Sequence, residues 1–374
     1  MDEIKIVKYQ KSDYLEFRDF ARAAFHSKYI LSDEKFLDWQ YLSLNSALVL
    51  AKKGEDIMGF FGYKDFLYKV YSETKNVRAV MNLFADEKYR MAGVGPMLAR
   101  EVFNSSNYIL VSSYNDAAQK LYRHFRVGWT EAGDLNRFFA VLAPHKLMDG
   151  FKIPHLPPPF AKEGGKSIRG FTIPHLNPPP SAEGGGKLKI EKSTEVSKEF
   201  DEFWQKVRTR YSVTIERSSE YLRWRYLDHP FFAYQFLAAR RDGKLTGFLV
   251  YRLEEADSSR QGEAKAEGFK IARIIDFIAD EWAEVSLLQE FLSRARSDGA
   301  QAADFMFSGL LYRESLQTVG FFDVAGTDFE KFPIRFNPLS YSKFVINIAY
   351  DIPAPLSDGY LTKGDSDQDR PNPH

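Results

Sequence analysis

The chain repeats its own pattern. Residues 221–227 echo residues 36–42, with Trp224 standing 185 positions after Trp39. The echo continues in order: Gly247 follows Gly59 by 188 positions, Asp280 follows Asp86 by 194, and Gly320 follows Gly128 by 192. The offset drifts by only a few residues, and the polar stretch 258–268 accounts for the largest step. Such order points to an internal duplication and to two copies of one fold. A length of 374 residues suits two domains. Between the copies lies a second, shorter repeat. Gly150 pairs with Gly170, His155 with His175 and Gly164 with Gly184, a period of 20. Its prolines favour extended backbone and its glycines flexibility, which is a linker and not a core. Its two histidines have no companion ligands, so no metal site is expected there. The division that follows is a first domain at 1–148, a linker at 149–187, a second domain at 188–350 and a polar tail at 351–374. Asp365, Asp367 and Asp369 alternate in the tail, but the glycine and glutamate of a calcium loop do not follow. The tail therefore reads as solvated.

In the first copy, residues 4–7 read as a strand. Ser12 is placed to cap a helix whose apolar face carries Tyr14, Phe17, Phe20, Ala21, Ala24 and Phe25. Residues 36–42 are a second helical segment. Residues 47–51 and 57–63 make a hairpin about Gly54. Residues 79–85, 108–113 and 136–142 supply further strands. The stretch after 79–85 carries the chemistry. Arg90, Met91, Ala92, Gly93, Val94 and Gly95 are followed by Pro96, which favours the first position of a helix. Met97, Leu98, Val102 and Phe103 then recur at helical spacing. In such a strand, glycine loop and helix, backbone N–H groups can approach a ligand closely. The helix adds a partial positive charge, which suits a pyrophosphate. Neither the Gly-Lys-Ser/Thr of a Walker loop nor the spacing of a dinucleotide fingerprint is present.

Arg90, Gly93 and Gly95 resemble the pyrophosphate loop of the GNAT N-acetyltransferase superfamily. Asn115, Ala118, Leu121 and Tyr122 resemble that family's second block, which ends in Gly-Phe. Here the ending is Gly128 and Trp129, after a longer gap than usual. The order of elements is similar too. The resemblance implies an α/β fold of the α+β, mixed-sheet kind, present as two tandem GNAT folds. It implies acyl-CoA, acetyl-CoA foremost, as cosubstrate, with no metal, and a primary amine of a small molecule or aminosugar as acceptor. Backbone N–H groups near Leu83 and Ala85, with Phe84 between them, would hold the carbonyl and the pantetheine arm. The loop from Arg90 through Met91, Ala92, Gly93 and Val94 to Gly95 would hold the pyrophosphate. Asn115 would help place the pantetheine, and Tyr122 would protonate the departing thiolate. No residue declares itself as the base. The strand before the loop carries only Asn82, which leaves water relayed by Asp65, Asp86 or Asp276. The tandem layout, residues 224–230 and the aspartate-rich tail are also similar to acyltransferases of bacterial surface-polysaccharide pathways.

The second copy has lost this chemistry. Where the loop should recur stand Trp282, Ala283, Glu284, Val285, Ser286, Leu287 and Leu288, without a glycine and with an added carboxylate. At the offset of 194, Leu316 replaces Tyr122 and Gly309 replaces Asn115. We read this copy as a degenerate GNAT domain. It serves to bind acceptor, to position the first copy, or only to stabilise.

Lys plus Arg equals Asp plus Glu, 51 each. That balance argues against a nucleic-acid or anionic-membrane binder. The absence of cysteine excludes disulfides, thiolate metal sites and a cysteine nucleophile. Met1, Asp2, Glu3 and Ile4 do not open a signal peptide. No apolar run reaches the ~18 residues of a membrane span. A cytoplasmic protein is expected; oligomeric state carries no signal. Two rival readings remain. One is a non-catalytic acyl-CoA-binding or scaffold protein. The other is an aminoacyl-tRNA-dependent tandem-GNAT transferase, against which stand the intact loop and the charge balance.

Overall fold

The computed structural model describes residues 3–43, 45–104, 106, 108–126, 128–143, 187–256, 268–336 and 343–370. The Pro/Gly repeat, with His155 and His175, lies outside them. The first half runs β1 (Lys5–Lys8), α1 (Tyr14–Ala24), α2 (Glu34–Tyr41), β2 (Ser46–Lys53), β3 (Asp56–Val70) and β4 (Glu73–Ala85). It continues with α3 (Val94–Asn104), β5 (Tyr108–Ser112), α4 (Asp116–Phe125), β6 (Thr130–Asp134) and β7 (Asn136–Val141). The second half opens with β8 (Leu188–Ser193), α5 (Lys198–Val207), β9 (Val213–Ile215), α6 (Ser219–Leu222), β10 (Gln235–Arg241) and β11 (Lys244–Glu255). It closes with β12 (Lys270–Ala279), α7 (Glu281–Ser297), β13 (Ala302–Phe307), α8 (Arg313–Thr318), β14 (Phe322–Asp323) and β15 (Asn347–Tyr350).

These form two mixed sheets flanked by helices, the α/β class expected. Some boundaries move. Ser12 lies in a short 3-10 turn at Lys11–Asp13, and α1 begins only at Tyr14. Pro96 is the third residue of α3 instead of the first, still within the turn whose N–H groups lack helical partners. α3 buries Val94, Leu98, Ala99, Val102 and Phe103, the one-sided spacing that seats a helix on a sheet.

The largest departure is an exchange of strands. Residues 136–142 were expected to close the first unit. The strand forms, but β7 lies between β13 and β14 of the second sheet. In return β15 lies between β5 and β6 of the first sheet. Both faces of β7 are covered: Phe138 packs into a core shared by the two halves, and Phe139 into a smaller one with Phe329 and Phe332. Arg137 on the same strand donates to Asp304 of β13 at 2.6 Å. β9 also crosses, pairing with the far end of β3. At the seam Trp39 and Trp224, the pair that first betrayed the duplication, stack with centroids 5.0 Å apart. Each indole N–H donates to the other's backbone carbonyl, at 2.9 and 3.2 Å. This reciprocity marks a pseudo-twofold relation between the halves.

The tail is not solvated as far as it is described. Ile352, Leu356, Tyr360 and Leu361 are buried, and so are Asp365 and Asp369. Arg217 holds Asp365 at 2.7 Å and Arg252 holds Asp369 at 2.8 Å. For each tail carboxylate an upstream guanidinium offsets part of the cost of burial.

Candidate functional site

β4 and β5 run parallel and pair from Val77 with Tyr108 to Val80 with Val111. Beyond Val80 they part. β5 turns its free edge to β15, while β4 continues along β3 alone. The register of β4 against β3 slips between Met81 and Phe84. Asn82 sits in this bulge with φ +59°. Bulges re-aim side chains next to functional sites. The result is a wedge in which, among the described residues, the β5-facing edge of β4 has no strand partner at Leu83, Phe84 and Ala85. Leu83 and Ala85 face the core beneath α3, while Phe84 packs among Phe20, Phe25 and Phe60. An extended ligand can therefore meet this backbone edge.

The glycine loop stands at the mouth of the wedge. A 3-10 turn at Glu87–Ala92 leads into Gly93, whose φ of +72° is a left-handed value. A Cβ on Gly93 or Gly95 would meet no atom within 4 Å. The space before both glycines is open, and the first-turn N–H groups of α3 adjoin it. Met91 is fully exposed and Ala92 exposed, whereas Val94 is buried and anchors the helix. Arg90 belongs to the 3-10 turn, and its side chain lies outside the described set.

Tyr122 lies on α4, 3% exposed, against Phe61, Phe103 and Trp129. Burial, and after it the carboxylate of Asp367, raises its phenol above the ordinary range, so it stays protonated and able to donate. Asn115 is the N-cap of α4, its side-chain oxygen accepting from the N–H of Ala118 at 2.9 Å. The loop before it is fixed by β15. Asn347 accepts from the N–H of Tyr114 and donates to its carbonyl.

The three carboxylates considered as water-relaying bases all have other partners. Asp65 receives two bonds from Arg78, at 2.7 and 2.8 Å. Asp86 accepts from the N–H of Lys88. Asp276 is wholly buried in the second half, 2.9 Å from Arg217. Sequence reasoning missed the tail. Arg370 donates to the side-chain oxygen of Asn82, and Asn82 donates to the hydroxyl of Tyr41 at 2.7 Å. Asp367 accepts from Arg370 at 3.1 Å. A composition of aspartate, serine and glycine gave no signal of this.

The second half has a wedge of its own. β12 and β13 pair from Ile271 with Ala302 to Ile274 with Phe305, then part. Residues 360–364 fill the gap. Thr362 bridges Phe307, the N–H of Ser308 donates to the carbonyl of Leu361 at 2.8 Å, and Tyr360 bonds both backbone groups of Phe277. Gly364 fits because a Cβ there would stand 2.6 Å from the Tyr226 hydroxyl and 2.7 Å from Ile275. No glycine loop guards this wedge, since α7 begins directly after Asp280.

No family model matches the chain, and no curated protein does. Solved structures do. A conserved protein of unknown function from Enterococcus faecalis, described as a probable N-acyltransferase, is similar with TM-score 0.55 and 12% identity, covering 96% of this chain and 73% of that one. A GCN5-related N-acetyltransferase from Anabaena variabilis gives 0.56 and 13%, covering 93% and 72%. Saccharomyces cerevisiae N-myristoyltransferase, solved with bound myristoyl-CoA, gives 0.52 and 11%, covering 94% and 79%. At these identities the likeness is one of fold. The chain carries the tandem GNAT-type fold that its motifs led us to expect.

Proposed function

We propose that the chain is a cytoplasmic, acyl-CoA-dependent N-acyltransferase with one active site, in the copy at 1–148. Acetyl-CoA is the expected donor and a primary amine of a small molecule or aminosugar the acceptor. The observation that carries this reading is the parting of β4 from β5 ahead of the left-handed Gly93 and α3, with a buried, protonated Tyr122 in the apolar cluster beneath that helix. A thioester substrate needs an extended groove for its arm, N–H donors for its pyrophosphate and its oxyanion, and an acid for its thiolate. The wedge edge at Leu83 to Ala85, the loop from Arg90 to Gly95 and Tyr122 are our candidates for these tasks, with Asn115 beside the arm. The second copy, at 188–350, then serves to complete and stabilise the first.

Calorimetry with acetyl-CoA, and thiol release over a panel of amines and aminosugars, tests the reading. One molecule should bind per chain, and Gly93→Val should lose that binding while the chain stays folded, because valine is ill suited to positive φ and fills the approach. Binding without turnover on any acceptor would favour a scaffold. Unchanged affinity in Gly93→Val would place the pyrophosphate elsewhere.

A further inference from the structure

A second opening lies at the seam, along the edge of β3 that faces away from β4. β2 pairs with β3 only as far as Lys64, and β9 only from Tyr68 onward, so Asp65, Phe66 and Leu67 lie between them. A cleft of about 620 Å³ opens here between β3 and residues 215–228 of the second half. That size falls within the range of about 300–1,000 Å³ usual for small-molecule sites. The wall from the second half includes a π-helical turn, Arg223–Leu227, closed by the N–H of Asp228 on the carbonyl of Arg223 at 2.9 Å. Such turns are rare and occur frequently at functional sites. α2, the counterpart around Trp39, is a regular α-helix, so the repeated sequence does not demand the distortion. The turn brings Arg223, Trp224 and Asp228 to the cleft. From the other side Lys64, 7% exposed, holds its Nζ 4.1 Å from the centre of the Trp224 ring and donates to the hydroxyl of Ser43 at 2.9 Å. An ammonium so placed has given up hydration. Burial pulls it down to about 8, against Glu220 and then Asp65.

The charges of the cleft balance. Asp65 is met by Arg78 and Glu216 by Arg208, both from outside the cleft. That leaves Lys64 and Arg223 against Glu220 and Asp228. Arg223, Glu220 and Asp228 are exposed, and their side chains bond no described residue. An ion of either sign would meet a like charge here. A neutral polyhydroxyl ligand meets none, and its hydroxyls can accept from the cations and donate to the carboxylates. Its C–H surface suits Phe66 and Trp224, which also line the cleft. We propose that the cleft is a binding site for a neutral saccharide, held by Lys64 and Arg223 as donors and by Glu220 and Asp228 as acceptors. None of the residues assigned to the acyl site lines it, so the proposal does not rest on that reading.

The test uses the full chain with three neutral disaccharides, maltose, cellobiose and N,N′-diacetylchitobiose, and with citrate and spermidine as charged probes. Saturation-transfer NMR and calorimetry read the binding. At least one disaccharide should bind at millimolar concentration or below, and more tightly than either charged probe. Lys64→Met keeps the length of the side chain and removes the ammonium. It should weaken that binding about ten-fold or more, the scale of a hydrogen bond to a charged group. Glu220→Ala combined with Asp228→Ala changes only exposed residues, which leaves the fold intact, and should weaken binding by a similar factor. Saturating acetyl-CoA should not displace the sugar. Failure of all three disaccharides to bind, or tighter binding of citrate or spermidine, overturns the saccharide assignment. Sugar affinity unchanged in the double variant, or displacement by acetyl-CoA, overturns the cleft as the place of binding. Each of these failures leaves the acyltransferase reading standing.

Discussion

The molecule contains the same wedge twice, once open and once filled by its own chain. Asn82 and Asp276 stand at equivalent positions, 194 residues apart. In the first half the glycine loop follows a β4 edge that no described strand pairs with on the β5 side beyond Val80. In the second, α7 replaces the loop, Leu316 replaces the phenol and residues 360–364 lie between the strands. A parted strand pair exposes backbone groups that must find partners. A ligand can provide them, or the chain can. The second copy has taken the latter course, and its loss of the glycine loop follows naturally, since a filled wedge has no pyrophosphate to hold. The same segment then continues to the first wedge, so filling one site delivers residues to the other.

The filled wedge is the place to break that difference hardest. Arg217 is fully buried and bonds Asp276 at 2.9 Å and Asp365 at 2.7 Å. Arg217→Ala leaves two buried carboxylates without their cation, which should cost about 3–5 kcal/mol in urea unfolding. Burial already pushes Asp276 up. Without the guanidinium Asp276 should bind its proton still more readily when folded than when unfolded. The deficit should therefore be largest near neutral pH and shrink as pH falls toward the unfolded carboxylate range of about 4. A loss below about 1 kcal/mol, the scale of an exposed pair, would mean that the tail is not seated there.

Tyr122 sharpens the comparison from the other side, because its counterpart Leu316 cannot donate a proton. Tyr122→Phe should lower kcat at least roughly ten-fold, short of the full 10²–10⁴ because solvent can substitute as acid. Acyl-CoA affinity should stay within a few-fold, since the removed oxygen acts in the transition state. A kcat within about two-fold of the parent would make Tyr122 a packing residue, consistent with its three aromatic neighbours, and leave the acid unassigned.

What the sequence made legible was local. The strand, Gly93 loop and helix rest on short-range patterns, and the echo of Trp39 in Trp224 on the repeat of one, and each took shape about where it was expected. The strand exchange was not legible, because β7 alternates like any half-buried strand and nothing in it names the sheet it will join. The tail was misread for a related reason. Asp365 and Asp369 look solvated until Arg217 and Arg252 are brought to them, from 148 and 117 residues away. The exchange also means that a fragment ending near residue 148 lacks β15 and strands β7, so the two copies are best tested within the whole chain.

Asn115 offers the finest distinction between the halves, since Gly309 at its counterpart position has no side chain to cap or to bind. In the structure its oxygen caps α4, and its amide nitrogen donates to none of the described residues. Asn115→Ala should cost about 1 kcal/mol of stability, the usual worth of such a cap. Asn115→Asp keeps an acceptor for the N–H of Ala118 and should recover most of that loss. The pair therefore separates two roles that one substitution would confuse. If Asn115 only caps, acyl-CoA affinity should return with stability in the aspartate variant. If its amide also holds the pantetheine arm, affinity should remain weakened, by roughly five-fold or more for one lost hydrogen bond of about 1 kcal/mol. Thermal melting and acetyl-CoA calorimetry on the two variants read both outcomes. Full affinity in the alanine variant would remove Asn115 from the binding site altogether.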